Sequence, residues 1–233
     1  MTVLVIAPHP DDETLGCGGT IAALAAASIE VYIIAVVCHG SNTGDLGEQR
    51  PANRSEEFHT ACKALGATGS EVVFEPSMHH TLHDRQALLV ALLESGCTYA
   101  IDKVRPDTVL IPAEGAYHQD HQVVHAAALA ACRPRGIGSH TPPNVLGFYG
   151  PEDEWRAQPK VTPAFIEVTD VHERKIEALR KYSLQLRLPP HPRSIEFVQA
   201  ADMVNGARFG VPAAEVFTPY RLDLAGALGV SAR

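Results

Sequence analysis

The chain has 233 residues, with 19 Lys and Arg against 27 Asp and Glu, a formal net charge of −8, and 45% hydrophobic residues. This balance is ordinary for a soluble globular protein, and without a basic run it argues against nucleic acid or an anionic membrane as the main partner. No window approaches the roughly 18 apolar residues needed to span a bilayer, and the short apolar opening lacks the basic lead of a signal peptide.

Residues 3–7 (VLVIA) form an apolar β-branched run that predicts a buried strand, and residues 14–27 are alanine-rich and predict a helix. Residues 31–38 (VYIIAVVC) are nearly all apolar, as expected of a strand covered on both faces. A polar, Gly-rich loop follows over residues 39–53, long enough to suggest function. Further elements are a helix over residues 55–65, a strand over 71–74, a helix over 85–104, a strand over 107–112 and a helix over 122–132. The last third is less regular. It offers loops at 133–143 and 189–192, an edge strand at 165–168 and a helix at 172–186. The alternation implies an α/β fold of the Rossmann-like, three-layer αβα kind with a mainly parallel sheet. One domain over residues 1–233 is the expectation at this size.

Two strand exits carry the chemistry. The first run empties into Pro8-His9-Pro10-Asp11-Asp12-Glu13, and the strand at 107–112 leads to Tyr117-His118-Gln119-Asp120-His121. Loops at the C-terminal ends of strands are where open α/β sheets place their sites. His9 and Asp12 can converge on one point, and His121 is the natural third ligand of a catalytic zinc with its fourth position open. A His₂–Asp set also suits iron or cobalt. Asp11 is then placed as a general base. His118 could donate to an oxyanion or protonate a leaving amine, with Asp120 holding it as imidazolium. Glu13 reads equally well as a helix-start residue. Gly16, Gly18 and Gly19 do not fit G-x-G-x-x-G and are better explained by close helix–strand packing. A second metal site at His79, His80 and His83 is outweighed by a solvated loop, and Cys17, His125 and His140 read as structural or surface residues. The five cysteines (Cys17, Cys38, Cys62, Cys97, Cys132) form no CxxC pair and read as reduced thiols of a cytoplasmic protein.

The motif from Pro8 to Thr20 together with His118–His121 resembles the LmbE/PIG-L family of zinc-dependent N-deacetylases. The likeness extends to Arg54-Ser55-Glu56-Glu57, Arg105-Pro106-Asp107, Lys175–Leu179 with Tyr182, Ser183 and Gln185, and Glu215-Val216-Phe217. Leu184 separates Ser183 from Gln185, where the family often has Ser-Gln adjacent. The resemblance implies one zinc per chain on His9, Asp12 and His121, with Asp11 as base and His118 backed by Asp120 stabilising the transition state. It also implies Arg54 as a sugar-binding residue. The implied partner is a small N-acetylated glycoside or amino sugar, and the implied reaction releases acetate and a free amine. Homo-oligomers are common in the family. Rival readings are another metal-dependent hydrolase, of phosphoesters or glycosides, and a non-catalytic sugar-binding protein. The loops 41–53, 77–85, 136–143 and 189–193 are expected to shape the pocket.

Overall fold

A computed structural model of the chain describes residues 1–39, 41–42, 48–49, 51–74, 76–155 and 163–227. Its strands are β1 (Thr2–Ala7), β2 (Glu30–Val37), two-residue β3 (Ser41–Asn42) and β4 (Glu48–Gln49), β5 (Gly69–Phe74), β6 (Thr108–Pro112), β7 (Asn144–Phe148), β8 (Ala164–Glu167) and β9 (Ala214–Arg221). Its helices are α1 (Asp12–Ala26), α2 (Pro51–Leu65), α3 (Gln86–Ala91), α4 (Ile101–Val104), α5 (Gln119–Ala131), α6 (His172–Leu179), α7 (Ile195–Phe209) and α8 (Leu224–Ala227).

Seven strands form one sheet in the order β5-β2-β1-β6-β7-β9-β8. The first five run parallel, while β9 is antiparallel to both β7 and β8. The expected mainly parallel α/β architecture is therefore observed, with β8 at the predicted edge. Alternation along β1 explains the layers, because successive side chains point to opposite faces. Leu4 and Ile6 pack with Leu89, Ile101 and Val124 on one face, and Val3 and Val5 pack with Ile21, Phe58 and Leu65 on the other. Both faces being covered, β1 and β2 read as continuous apolar runs. The chain moves from β1 outward to β2 and β5, then returns to place β6 on the other flank of β1. That reversal opens a crevice beyond the carboxyl ends of β1 and β6.

Several boundaries differ from the sequence reading. The helix expected over 85–104 is a 3₁₀ segment (Pro76–Arg85), α3, a π turn (Leu92–Gly96) and α4. Glu71 on β5 accepts the Thr98 and Tyr99 amides at 3.0 and 2.6 Å, which draws the chain out of helix just after Gly96. The helix expected to reach 186 stops at Leu179, because Tyr182 turns inward to Glu13 and Ser183 is held by Glu57. β7 and α7 were not foreseen. α7 does carry terminal signals: Ser194 Oγ accepts the Phe197 amide at 3.1 Å, and Gly210 closes the helix at φ 77°. The loop at 136–143 joins α5 to β7 at the opposite end of the sheet from the crevice, where His140 bonds the Pro106 carbonyl. It cannot shape the pocket, a correction that follows from the direction of α5.

The expected helix at 14–27 begins at Asp12 and is broken at Cys17, whose φ of −148° and ψ of 24° are not helical. The break exposes the Gly19 and Thr20 amides, and the Glu215 carboxylate accepts both, at 2.9 and 2.7 Å. Glu215 thus caps the second half of α1 from β9, the task an N-cap side chain usually performs. A Cβ at Gly19 would stand 2.8 Å from Val168, and one at Gly16 would stand 2.4 Å from the Phe148 ring. Close approach, as read from the sequence, accounts for these glycines.

Candidate active site

The turn Pro8–Asp11 carries the chain from β1 into α1, and its geometry is unusual. Asp11 has φ 110° and ψ −32°, a conformation costly for any residue with a Cβ. Its carbonyl accepts the Thr14 and Leu15 amides at 3.1 and 2.9 Å. Its own amide donates to Glu13 Oε2 at 3.0 Å. Glu13 is fully buried, and its Oε1 accepts from Thr14 Oγ1 and from the Tyr182 hydroxyl, both at 2.5 Å. Glu13 is therefore more than a helix-start residue; it clamps the strained turn. Burial pushes its carboxyl up to about 7 against the pull of those hydrogen bonds.

The two strand exits meet in the crevice. Asp12 Oδ2 stands 3.3 Å from His9 Nδ1 and 3.2 Å from His121 Nε2. The three ligand atoms lie within 4.8 Å of one another and belong to buried residues. The edge of a zinc tetrahedron with bonds of about 2.0–2.1 Å is about 3.3 Å, which both edges from Asp12 match. Behind them, His9 Nε2 donates to Asp120 Oδ2 at 2.8 Å. This leaves Nδ1 facing the site in the carboxylate–histidine–metal arrangement. His9, His118 and Asp120 form a second group of donors. Its 2.8 Å edge is a hydrogen bond and is too short for two ligands of one zinc.

Asp120 was expected to hold His118 as imidazolium. The structure corrects this: its carboxylate serves His9, and its backbone amide donates to His118 Nδ1 at 3.2 Å. His118 is the N-cap of α5, and that role fixes Nδ1 as an acceptor. Burial, followed by the charges of His9 and His121, lowers His118 to about 4. It is a neutral imidazole with its Nε2–H free to donate.

Burial raises Asp11 above the ordinary carboxylate value, and Arg54 and Arg193 pull it partly back. For Asp12 burial also acts upward, but His121 and His9 outweigh it and hold the carboxyl well below its usual range. Burial would lower His121, and Asp12 reverses the sign and raises it.

Arg54, expected to meet sugar hydroxyls, is 3% exposed. Its Nη2 donates to the Pro10 carbonyl at 2.9 Å and to Asp11 Oδ1 at 3.4 Å, and Nη1 reaches the His39 carbonyl at 3.3 Å. In this arrangement it braces the turn and the Asp11 carboxylate. The other oxygen of Asp11 faces Arg193 Nη1 at 3.5 Å. Arg193 also donates to Glu152 Oε2 at 3.0 Å and to Gln185 Oε1 at 3.4 Å. The cleft over the metal triangle is lined by Tyr117, His118, Glu152, Asp153 and Arg193 as well as Asp12 and His121. Among the predicted pocket loops, 189–193 does reach the site. Glu152 was missed, because the 3₁₀ segment Pro151–Trp155 that carries it shows no motif. His83 is exposed beside Asp84, whereas the side chains of His79 and His80 and much of 41–53 lie outside the described residues. His125 bonds the Pro112 carbonyl at 2.9 Å, a structural role as read.

Comparison with known proteins places this geometry in context. The family model described as PIG-L, GlcNAc-PI de-N-acetylase, matches residues 4–132. The uncharacterized deacetylase YaiS of Escherichia coli K12 is 34% identical over 63% of this chain and 77% of its own length. The 1D-myo-inositol 2-acetamido-2-deoxy-alpha-D-glucopyranoside deacetylase of Nakamurella multipartita is 28% identical, covering 81% of this chain and 80% of the relative. The solved structure of the conserved protein TT1542 from Thermus thermophilus superposes with a TM-score of 0.72 at 24% identity, over 94% of each chain. GalB, the 4-carboxy-2-hydroxymuconate hydratase of Pseudomonas putida KT2440, gives a TM-score of 0.70 at 19% identity over 95% of this chain and 97% of that one. The fold alone therefore does not select the reaction. The matched family model covers more than half of the 233 residues and takes in both strand exits, and the chain belongs to the PIG-L, GlcNAc-PI de-N-acetylase family.

Proposed function

We propose that the chain is a zinc-dependent N-deacetylase that hydrolyses the acetamido group of an amino-sugar derivative to acetate and the free amine. Residues 1–233 act as one catalytic domain, in keeping with one seven-stranded sheet that draws strands from Thr2 to Arg221. The observation that carries the reading is the His9–Asp12–His121 triangle set beside Asp11, a buried carboxylate that touches two guanidinium groups. Two of the relatives, named as deacetylases of acetamido sugars or chitobiose, match across most of this chain.

His9, Asp12 and His121 would hold one zinc ion per chain, which when bound acidifies water and polarises an acyl oxygen. The remaining work belongs to the protein. Asp11 takes the proton of the attacking water on a carboxylate oxygen. His118 Nε2–H donates to the amide oxygen as it gains negative charge, and being neutral it does so without giving up its proton. The C–N bond then breaks, and Asp11 returns its proton to the departing nitrogen, leaving acetate and the amine. Arg54 and Glu13 keep the Asp11 carboxylate and backbone in place. Asp120 fixes the His9 tautomer. All five cysteines are unbridged, which suits the expected reducing cytoplasm. Among the described residues no helix is long and apolar enough to cross a membrane.

The test pairs metal content per chain with acetate release from N-acetylglucosaminides before and after chelation. One zinc per chain and chelator-sensitive, zinc-restorable acetate release are expected. Stoichiometric zinc without acetate from any N-acetyl sugar would overturn the substrate reading, and no stoichiometric metal after reconstitution would overturn the mechanism.

A further inference from the structure

Arg193 and Glu152 are 41 residues apart in sequence and meet on the wall of the metal cleft. Arg193 is set just before Ser194, the N-cap of α7, and its amide is held by His191 Nδ1 at 3.0 Å. The segment carrying Glu152 is anchored by Asp153, whose Oδ2 accepts the Gly150 amide at 3.0 Å. Both side chains are therefore presented on fixed backbone. They are also partly open, at 20% and 26% exposure.

The guanidinium is under-used. Its contact with Glu152 is 3.0 Å, those with Gln185 and Asp11 stretch to 3.4 and 3.5 Å, and Nε is buried with no partner. It is the only Lys or Arg among the described residues that line this cleft. A guanidinium with spare donors beside a carboxylate with spare lone pairs suits a hydroxyl group, which donates to one and accepts from the other. The pair carries no net charge, so it suits a neutral hydroxyl better than an anion.

We propose that Arg193 and Glu152 form the subsite for the sugar hydroxyl next to the scissile acetamido group. This rests on the amino-sugar reading above. Asp12 and His121 line the same cleft as the pair, which puts the hydroxyl on the sugar ring that bears the acetamido group, and the proposal assigns it to a neighbouring carbon. In a glycoside the C1 oxygen carries the aglycone and has no proton to donate. The hydroxyl recognised is therefore the one on C3, and the substrate class is a 2-acetamido pyranoside with a free 3-hydroxyl.

The test is a cycle between substrate and enzyme. Acetate release from methyl 2-acetamido-2-deoxy-glucoside and from its 3-deoxy analogue is compared in the zinc-loaded wild type, Glu152→Gln and Arg193→Lys. Glu152→Gln is the cleaner variant, because Arg193 also approaches Asp11. Loss of the hydroxyl should lower wild-type kcat/KM about 10- to 100-fold, as expected for a hydrogen bond to a charged group. In the variants that penalty should fall to about threefold or less, because Gln offers the hydroxyl only a neutral acceptor and Lys lacks the planar fork. Calorimetric binding of the deacetylated products, which do not turn over, should show the same pattern in Kd. An equal deoxy penalty in wild type and variants would overturn the subsite while leaving the deacetylase reading intact. Neither acetate release nor product binding with either sugar would sink the amino-sugar reading and the subsite together.

Discussion

Two clusters of buried charge border α1, one at its first turn and one at the break at Cys17, and they are built on opposite plans. In the first, Lys175 is 1% exposed and bonds Asp202 Oδ2 at 2.8 Å and Glu215 Oε1 at 2.7 Å, while His172 shares Asp202 Oδ2 and the Gly19 and Thr20 amides of α1 donate to the Glu215 carboxylate. Every charge there is met by a fixed partner from α6, α7 or β9. In the second, His9, Asp12 and His121 converge on a common point, and Asp11 is held at φ 110° among arginines that approach no closer than 3.4 Å. A buried charge demands compensation, and the first cluster supplies it from within the fold. The carboxylates of the second meet His and Arg side chains at 3.2–3.5 Å, as fits the proposed metal and substrate site.

Removing one member should therefore have different consequences in the two clusters. His121→Ala at the open cluster should abolish stoichiometric zinc binding and lower acetate release by about 10³-fold or more, as expected where a metal supplies the main electrostatic term. Its folded structure should survive, as seen by circular dichroism. Lys175→Met at the closed cluster removes the cation shared by two buried carboxylates and should cost about 3–5 kcal/mol in urea unfolding. A loss below about 1 kcal/mol there would show that water enters the cluster and would break the comparison.

pH sharpens the contrast in the metal-free protein. Burial alone would raise Asp202, but Lys175 and His172 overcome it and depress its carboxyl. A depressed carboxyl stabilises the fold above its unfolded value and loses that contribution as pH falls through the folded one. Glu13 has the opposite sign: its ordinary value is 4.5 and burial lifts it to about 7. Between those values the unfolded chain releases the proton more readily than the native one, so stability falls as pH rises from about 4.5 to about 7 and then levels off. Glu13→Gln should flatten that window, while Asp202→Asn should flatten only the acid limb. Unfolding free energies at intervals of pH separate the two.

How much of this was legible in the sequence follows from how local each signal is. His9, Asp11, Asp12 and Glu13 share one turn, so their residue types announced a site, and His118–His121 repeated the pattern on the neighbouring strand. The parallel core was legible because β1, β2 and β6 are apolar on both faces. Contacts made across the chain were not. Glu215 capping a break in α1, Tyr182 reaching back 169 residues to Glu13, and the meeting of Glu152 with Arg193 leave no spacing to read. The role of Asp120 was misassigned for the same reason. Its backbone amide faces its neighbour His118, whereas its carboxylate faces His9, 111 residues away.

The smallest effect isolates the strain itself. Asp11→Ala and Asp11→Gly both delete the carboxylate that Arg54 and Arg193 approach, so both lose turnover and both leave those guanidinium groups short of a partner. They differ only in the Cβ. At an ordinary position glycine is the less stable of the two by about 0.5–1 kcal/mol, because its unfolded chain is freer. At φ 110° the Cβ is penalised instead, and a strained residue of this kind costs on the order of 1–3 kcal/mol. The glycine variant should therefore be the more stable by about 1 kcal/mol, a reversal of the usual sign, measured by urea unfolding of the metal-free proteins. If alanine proves the more stable, the Glu13 and Tyr182 clamp is not holding a strained turn, and the open cluster differs from the closed one in charge alone.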